Sequence, residues 1–180
     1  MLESTETILV IVDVQGKLAR IMAQTERLHQ QLQILAKAMP LFGIPVLWLE
    51  QLPDKLGPTS EELATILRQI TQPIAKEHFS GWQCNEFRQQ LLTSGRKKVL
   101  LAGIETHICV YQTCCDLLNA GMEVHVIADA VDSRNSDNCQ LGLQMMQQHG
   151  AWLTQTESLL FELQQQASGD RFRQLLSLIK

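Results

Sequence analysis

The chain has 180 residues, 45% apolar and 19% charged, with a net charge of −4. That composition predicts a globular, core-forming chain with one domain over residues 1–180, and it argues against a disordered one. The only tight basic run is Arg96-Lys97-Lys98 and no apolar window nears the roughly 18 residues of a membrane span, so neither nucleic acid nor a bilayer is an expected partner.

Residues 7–12 (TILVIV) form an unbroken aliphatic, β-branched run that ends at Asp13. Such a run predicts a strand buried on both faces, hence a parallel sheet covered by helices. Leu28, Leu32, Leu35 and Met39 recur at helical spacing and predict a helix over about 26–42, stopped at Gly43. Residues 44–49 predict a second strand ending at Glu50, and 51–59, with two prolines and a glycine, predict a loop. Ser60 is the candidate N-cap of a short helix. Residues 73–75 make a brief third strand ending at Lys76, and a helix follows over 85–93. A fourth strand over 98–102 runs into the turn Gly103-Ile104-Glu105-Thr106, and a helix starts near His107 and stops at Gly121. A fifth strand over 124–128 ends at Asp129, and a helix covers about 138–149. A weak sixth strand over 151–154 precedes C-terminal helical turns with Phe172, Leu175, Leu176 and Ile179 on one face. Strict β–α alternation of this kind predicts an α/β fold with right-handed crossovers.

In open α/β sheets ligands bind beyond the carboxyl ends of the strands. Here those ends carry Asp13, Glu50, Lys76, the Glu105-Thr106 turn and Asp129. The nucleophile candidate among them is Cys109, in the first turn of the helix after the fourth strand. A helix N-terminus and a nearby Lys76 ammonium predict a lowered thiol pKa, and Asp13 is a natural proton acceptor. The competing reading of a cysteine is small apolar filler, which suits Cys84, Cys114, Cys115 and Cys139. Five cysteines without a CxxC pair, and no signal peptide over residues 1–6, predict a reducing, cytoplasmic location.

These residues, in this order, resemble the isochorismatase-like cysteine hydrolase family, which includes nicotinamidase and N-carbamoylsarcosine amidase. The resemblance spans about residues 7–163, and its most specific part is Gly103-Ile104-Glu105-Thr106-His107-Ile108-Cys109-Val110. Val12-Asp13-Val14-Gln15, Lys76 and Ala128-Asp129-Ala130-Val131-Asp132-Ser133-Arg134 support it, and the Glu50-Gln51-x-Pro53 loop looks like that of the isochorismatase domain-containing branch. It implies a three-layer α/β/α fold with a six-stranded parallel sheet in order 3-2-1-4-5-6. It implies Cys109 as nucleophile, Asp13 as general base and Lys76 as the third catalytic residue. It further implies a cis peptide between Ile104 and Glu105, which turns the Glu105 and Cys109 N–H groups into an oxyanion hole. The implied activity is hydrolysis of a C–N bond in a small amide or carbamoyl compound through a thioester, by a homo-oligomer without cofactors.

No metal is expected, because the stretch after the second strand holds no histidine and His78 stands alone. Gln15, Glu50 and Gln51 are candidate substrate contacts, and Phe79 and Trp82 are candidate pocket walls. His107 is not expected to activate Cys109, because residues two apart on a helix do not face each other. Arg134 is a candidate partner of Asp129. Three rivals remain: a silent small-molecule-binding or interaction protein on the same fold, hydrolysis of an isochorismate-type vinyl ether, and a dinucleotide-binding protein. The second conflicts with the presence of Cys109, since elimination enzymes of this type lack the nucleophile. The third conflicts with Asp13-Val14-Gln15-Gly16, where GxGxxG would stand.

Overall fold

The computed structural model describes residues 1–180. Six strands, β1 (Thr7–Val12), β2 (Val46–Gln51), β3 (Pro73–Lys76), β4 (Lys98–Ile104), β5 (Glu123–Asp132) and β6 (Trp152–Thr154), form one sheet in the order β3-β2-β1-β4-β5-β6. Every pairing is parallel. The helices are α1 (Gly16–Arg20), α2 (Thr25–Ala38), α3 (Pro53–Leu56), α4 (Glu61–Leu67), α5 (Asn85–Thr93), α6 (Tyr111–Asn119), α7 (Ser136–Gln148), α8 (Thr156–Gln164) and α9 (Asp170–Ile179). No helix is long and apolar enough to cross a membrane.

Strand alternation divides the core in two. Leu9 and Ile11 of β1, Trp48 of β2 and Leu100 and Ala102 of β4 pack against α2, α4 and α8. Ile8, Val10 and Val12, with Leu49, Val99 and Leu101, face the opposite layer of α5, α6 and α7. A strand buried on both faces is apolar nearly throughout, and β1 is buried at every position, with only Thr7 polar and its hydroxyl donating to the Glu3 carbonyl.

The departures from the sequence reading have local causes. The helix expected over 26–42 ends as α at Ala38 and continues as a 3-10 turn over Met39–Phe42, where Pro40 has no N–H to give the ladder. Residues 53–56, expected as loop, form the single turn α3, with Pro53 at its start. Strand β5 does not stop at Ala128. Its pairing with β4 shifts between Leu101 and Gly103, and the extra residues carry the strand to Asp132. Ser60 does stand at the N-cap of α4, but its hydroxyl makes no cap bond and pairs instead with His29 Nε2 at 2.9 Å.

Strands β1 and β4 lie side by side at the point where the strand order reverses, so their carboxyl ends open one crevice. Gly103 makes the close approach possible. Its φ is +116°, and a Cβ there would sit 2.1 Å from the Val12 carbonyl oxygen.

Candidate active site

Asp13 follows directly after β1, in the left-handed region at φ +54°. Aspartate is among the few residues besides glycine that tolerate this region. Lys76 ends β3, two strands away from β1 in the sheet order. Lys76 Nζ donates to Asp13 Oδ2 at 2.7 Å and to Gln51 Oε1 at 2.6 Å. It also donates to the carbonyls of His78 and Phe79, at 3.1 and 3.0 Å. The ammonium therefore faces four acceptors, and its side chain has no solvent exposure. Its place is under the carboxylate, holding it, rather than in the cavity.

After β4 the chain passes through the Ile104–Glu105 peptide, which is cis, into a π-helical turn over Thr106–Val110. That turn carries Cys109, and α6 begins only at Tyr111. Asp13 and Cys109 line the same cavity of ≈ 110 Å³, with Gln15, Leu18, Gln51, Leu56, Phe79, Ile104, Glu105 and Ile108. Asp13 Oδ1 is buried and has no hydrogen-bond partner within bonding distance. The Cys109 thiol is close enough that thiol and carboxylate alter each other's proton affinity. A larger, open cleft of ≈ 490 Å³ lies elsewhere, lined by polar residues such as Arg20, His29 and Glu62, and holds none of these groups.

The electrostatics differ from the sequence expectation for Cys109. Instead of being lowered, its pKa is pushed up to about 12. Burial is the main cause, and the Asp13 carboxylate adds to it against the opposing pull of Lys76. Asp13 is itself raised by burial, with Lys76 pulling the other way. The resting sulfur is thus a thiol beside a carboxylate of enhanced basicity, not a stored thiolate.

The other candidates divide. Phe79 lines the cavity and is 53% exposed, so it stands at the mouth. Gln15 and Gln51 also line it, but their amides are committed to the chain. Gln15 Nε2 donates to the carbonyls of Gln51 and Gly57, and its Oε1 accepts the Gln51 N–H. Gln51 Nε2 donates to the Glu77 carbonyl while its Oε1 holds Lys76. Both are braces rather than free substrate contacts. Glu50 does not reach the cavity lining. Its Oε1 accepts both the backbone N–H and the hydroxyl of Thr59, and Trp48 Nε1 donates to that same hydroxyl. Trp82 is also outside the lining, packed on the α5–α7 side of the core with the Arg88 guanidinium over its ring. Arg134 pairs with Glu105, whose Oε1 accepts its backbone N–H and its Nε, while Asp129 caps Thr156. His107 turns away and its Nδ1 pairs with Ser133 Oγ.

The sequence reading missed Leu18, Leu56, Ile104 and Ile108 as walls. Ile108 was legible as the neighbour of Cys109. Leu56 was not, because its place depends on α3 folding back over α1, where Gly16 lies so close that a Cβ would sit 2.1 Å from the Leu56 carbonyl oxygen. No group of three or more His, Cys, Asp or Glu side chains is arranged to hold a metal ion.

Comparison with known proteins places these features in a family. The secreted isochorismatase effector Isc1 of Phytophthora sojae is 35% identical over 178 residues, covering 97% of this chain and 84% of its own. The structure of the MAR1 ribonuclease of Caenorhabditis elegans is 31% identical with a TM-score of 0.89, over 99% of this chain and 91% of that one. The YcaC gene product of Escherichia coli, described as an octameric hydrolase of unknown specificity, shares the fold at a TM-score of 0.91 and 21% identity, over 98% of this chain and 89% of that one. The Isochorismatase domain family matches residues 7–158, and the chain belongs to that family.

Proposed function

We propose that this protein is a cysteine hydrolase that cleaves the C–N bond of a small amide or carbamoyl compound through a thioester on Cys109. One domain over residues 1–180 carries the whole machinery. The observation that supports the reading is the division of labour at Asp13. Its Oδ2 is held by Lys76, and its Oδ1, buried and without another partner, is left for the thiol in the same cavity.

Because the thiol is held protonated, attack and deprotonation are coupled. Asp13 takes the Sγ proton as sulfur bonds to the carbonyl carbon. Negative charge builds on the carbonyl oxygen, where the N–H groups of Glu105 and Cys109 serve as donors. Losing one such donor typically costs about 10²–10³ in rate. The intermediate collapses, and the leaving nitrogen takes the proton back from Asp13 and departs as ammonia or an amine. Asp13 then takes a proton from water as it attacks the thioester, the C–S bond breaks to release the acid, and Asp13 returns the proton to Sγ. Lys76 keeps Asp13 oriented and offsets its charge throughout, with no metal ion in any step.

Nucleic acid stays outside the proposal although the nematode relative is named a ribonuclease, since the net charge is −4 and the one basic run lies at 96–98. The five free cysteines suit a reducing cytoplasm. A homo-oligomer is part of the reading, supported by the octameric YcaC protein.

The test is ammonia release from a panel of small amides, with mass spectrometry of the Cys109 peptide during turnover. An acyl adduct on Cys109 and loss of turnover in Cys109→Ala support the proposal. Undiminished turnover in Cys109→Ala, or tight binding of an amide that is never cleaved, refutes it. The second outcome favours the binding protein on the same fold.

A further inference from the structure

We propose that the Cys109 cavity admits short, uncharged acyl groups and turns away compounds that carry a carboxylate beside the reacting carbon. The inference rests on the hydrolase reading, but it concerns which molecules reach the sulfur rather than what happens to them there.

Size is the first restriction. The cavity measures ≈ 110 Å³, well below the roughly 300–1,000 Å³ of sites that hold drug-sized ligands. At about 30 Å³ for each water-sized group it has room for roughly four. A ring bearing several substituents does not fit. Leu18, Leu56, Phe79, Ile104 and Ile108 form the apolar walls, which suit a short alkyl chain.

Charge is the second. A buried carboxylate needs a cation or several free donors to replace its water. Lys76 and Arg134 are both spent. Lys76 is sealed beneath Asp13 with four acceptors around its ammonium. Arg134 is bound to Glu105 and does not line the cavity. The amide groups of Gln15 and Gln51 are occupied by backbone and by Lys76. No lysine or arginine lines the cavity, and Asp13 Oδ1, buried beside the thiol, has no partner to offset it. The raised thiol pKa agrees with this, since a negative charge on Sγ is already disfavoured there. An anionic substrate would lose its water and meet like charge.

Two reagents on the same two-carbon frame test the charge rule without requiring turnover: neutral iodoacetamide and anionic iodoacetate. With each, the Cys109 sulfur displaces iodide and its proton passes through Asp13 to solvent. Peptide mass spectrometry of the full chain gives the rate at Cys109, and glutathione gives the intrinsic ratio of the two reagents. Cys109 should prefer iodoacetamide at least about tenfold more strongly than glutathione does. A ratio equal to that of glutathione overturns the inference. Iodoacetanilide, which adds a ring, should react with Cys109 at least about tenfold more slowly than iodoacetamide once both are scaled to glutathione, and equal scaled rates overturn the size rule.

Leu56→Arg places a cation at a wall position that is 43% exposed, and Phe79→Lys does so at one that is 53% exposed. Either should move the ratio at least about fivefold toward that of glutathione, and no movement in both, with folding intact by circular dichroism, overturns the inference. Should the alkylation preference hold while no amide is cleaved, the hydrolase reading fails and this one stands. Should amides be cleaved while anionic and neutral reagents react alike, this one fails and the hydrolase stands.

Discussion

Replacing Lys76 with Met removes the ammonium and leaves the Asp13 carboxylate buried without its partner. The two groups are 2.7 Å apart, with side chains 0% and 5% exposed. At an effective dielectric of about 20 their attraction is about 6 kcal/mol, most of it offset by the water both charges give up. Removing one member of such a pair costs about 3–5 kcal/mol, because the survivor stays desolvated and unpaired. Gln51 Oε1 and the His78 and Phe79 carbonyls lose their donor as well. The expected loss for Lys76→Met is therefore about 4 kcal/mol near neutral pH, read by urea denaturation. The double variant Asp13→Asn/Lys76→Met buries no charge and should recover most of it.

The same pair fixes the sign of the pH effect. Burial already raises the Asp13 carboxyl, and Lys76 is the chief influence lowering it. Without Lys76 it rises further, so the folded variant binds a proton more readily than the unfolded chain does. Its deficit is then fully present above the folded pKa of Asp13 and shrinks as pH falls through that value. Denaturation at pH 8 and pH 5 measures this. A deficit below about 1 kcal/mol, an additive double-mutant cycle, or a deficit that grows on acidification would refute the reasoning.

Gly103→Ala should destabilise by about 4 kcal/mol or more, since a Cβ there collides with the Val12 carbonyl at a φ that disfavours alanine, and a normal melting temperature would contradict the close approach of β1 and β4. With its thiol held up to about 12 and Asp13 taking the proton as sulfur attacks, Cys109 should be alkylated with no inflection near pH 8.5, where an ordinary thiol titrates, and a titration midpoint near 8.5 would contradict the buried, carboxylate-flanked sulfur. Thr59→Val deletes the hydroxyl that joins Glu50 to Trp48 Nε1 and should cost about 2 kcal/mol, seen as a melting temperature lowered by roughly 4–8 °C.

Much of the architecture is written locally. The aliphatic run at 7–12 requires burial on both faces, the β–α alternation requires a parallel sheet, and the polar residue closing each strand marks the reactive edge. Asp13, Lys76 and Cys109 are legible because each stands at such a strand end or in the turn that follows one. Residue spacing carries this information because strand and helix periods are properties of the backbone.

Tertiary structure decided the rest, through groups far apart in the chain. Cys109 lies at the start of a helical segment, yet burial and Asp13, 96 residues earlier, push its pKa opposite to the local expectation. Gln15 and Gln51 have the chemistry of substrate contacts, and only their mutual bonds and the grip on Lys76 make them braces. Glu50 ends a strand as Asp13 does, but Thr59 claims its carboxylate. Spacing along the chain sets where a side chain starts; its proton affinity and its partners depend on desolvation and charge summed over every neighbour, which only the folded chain brings together.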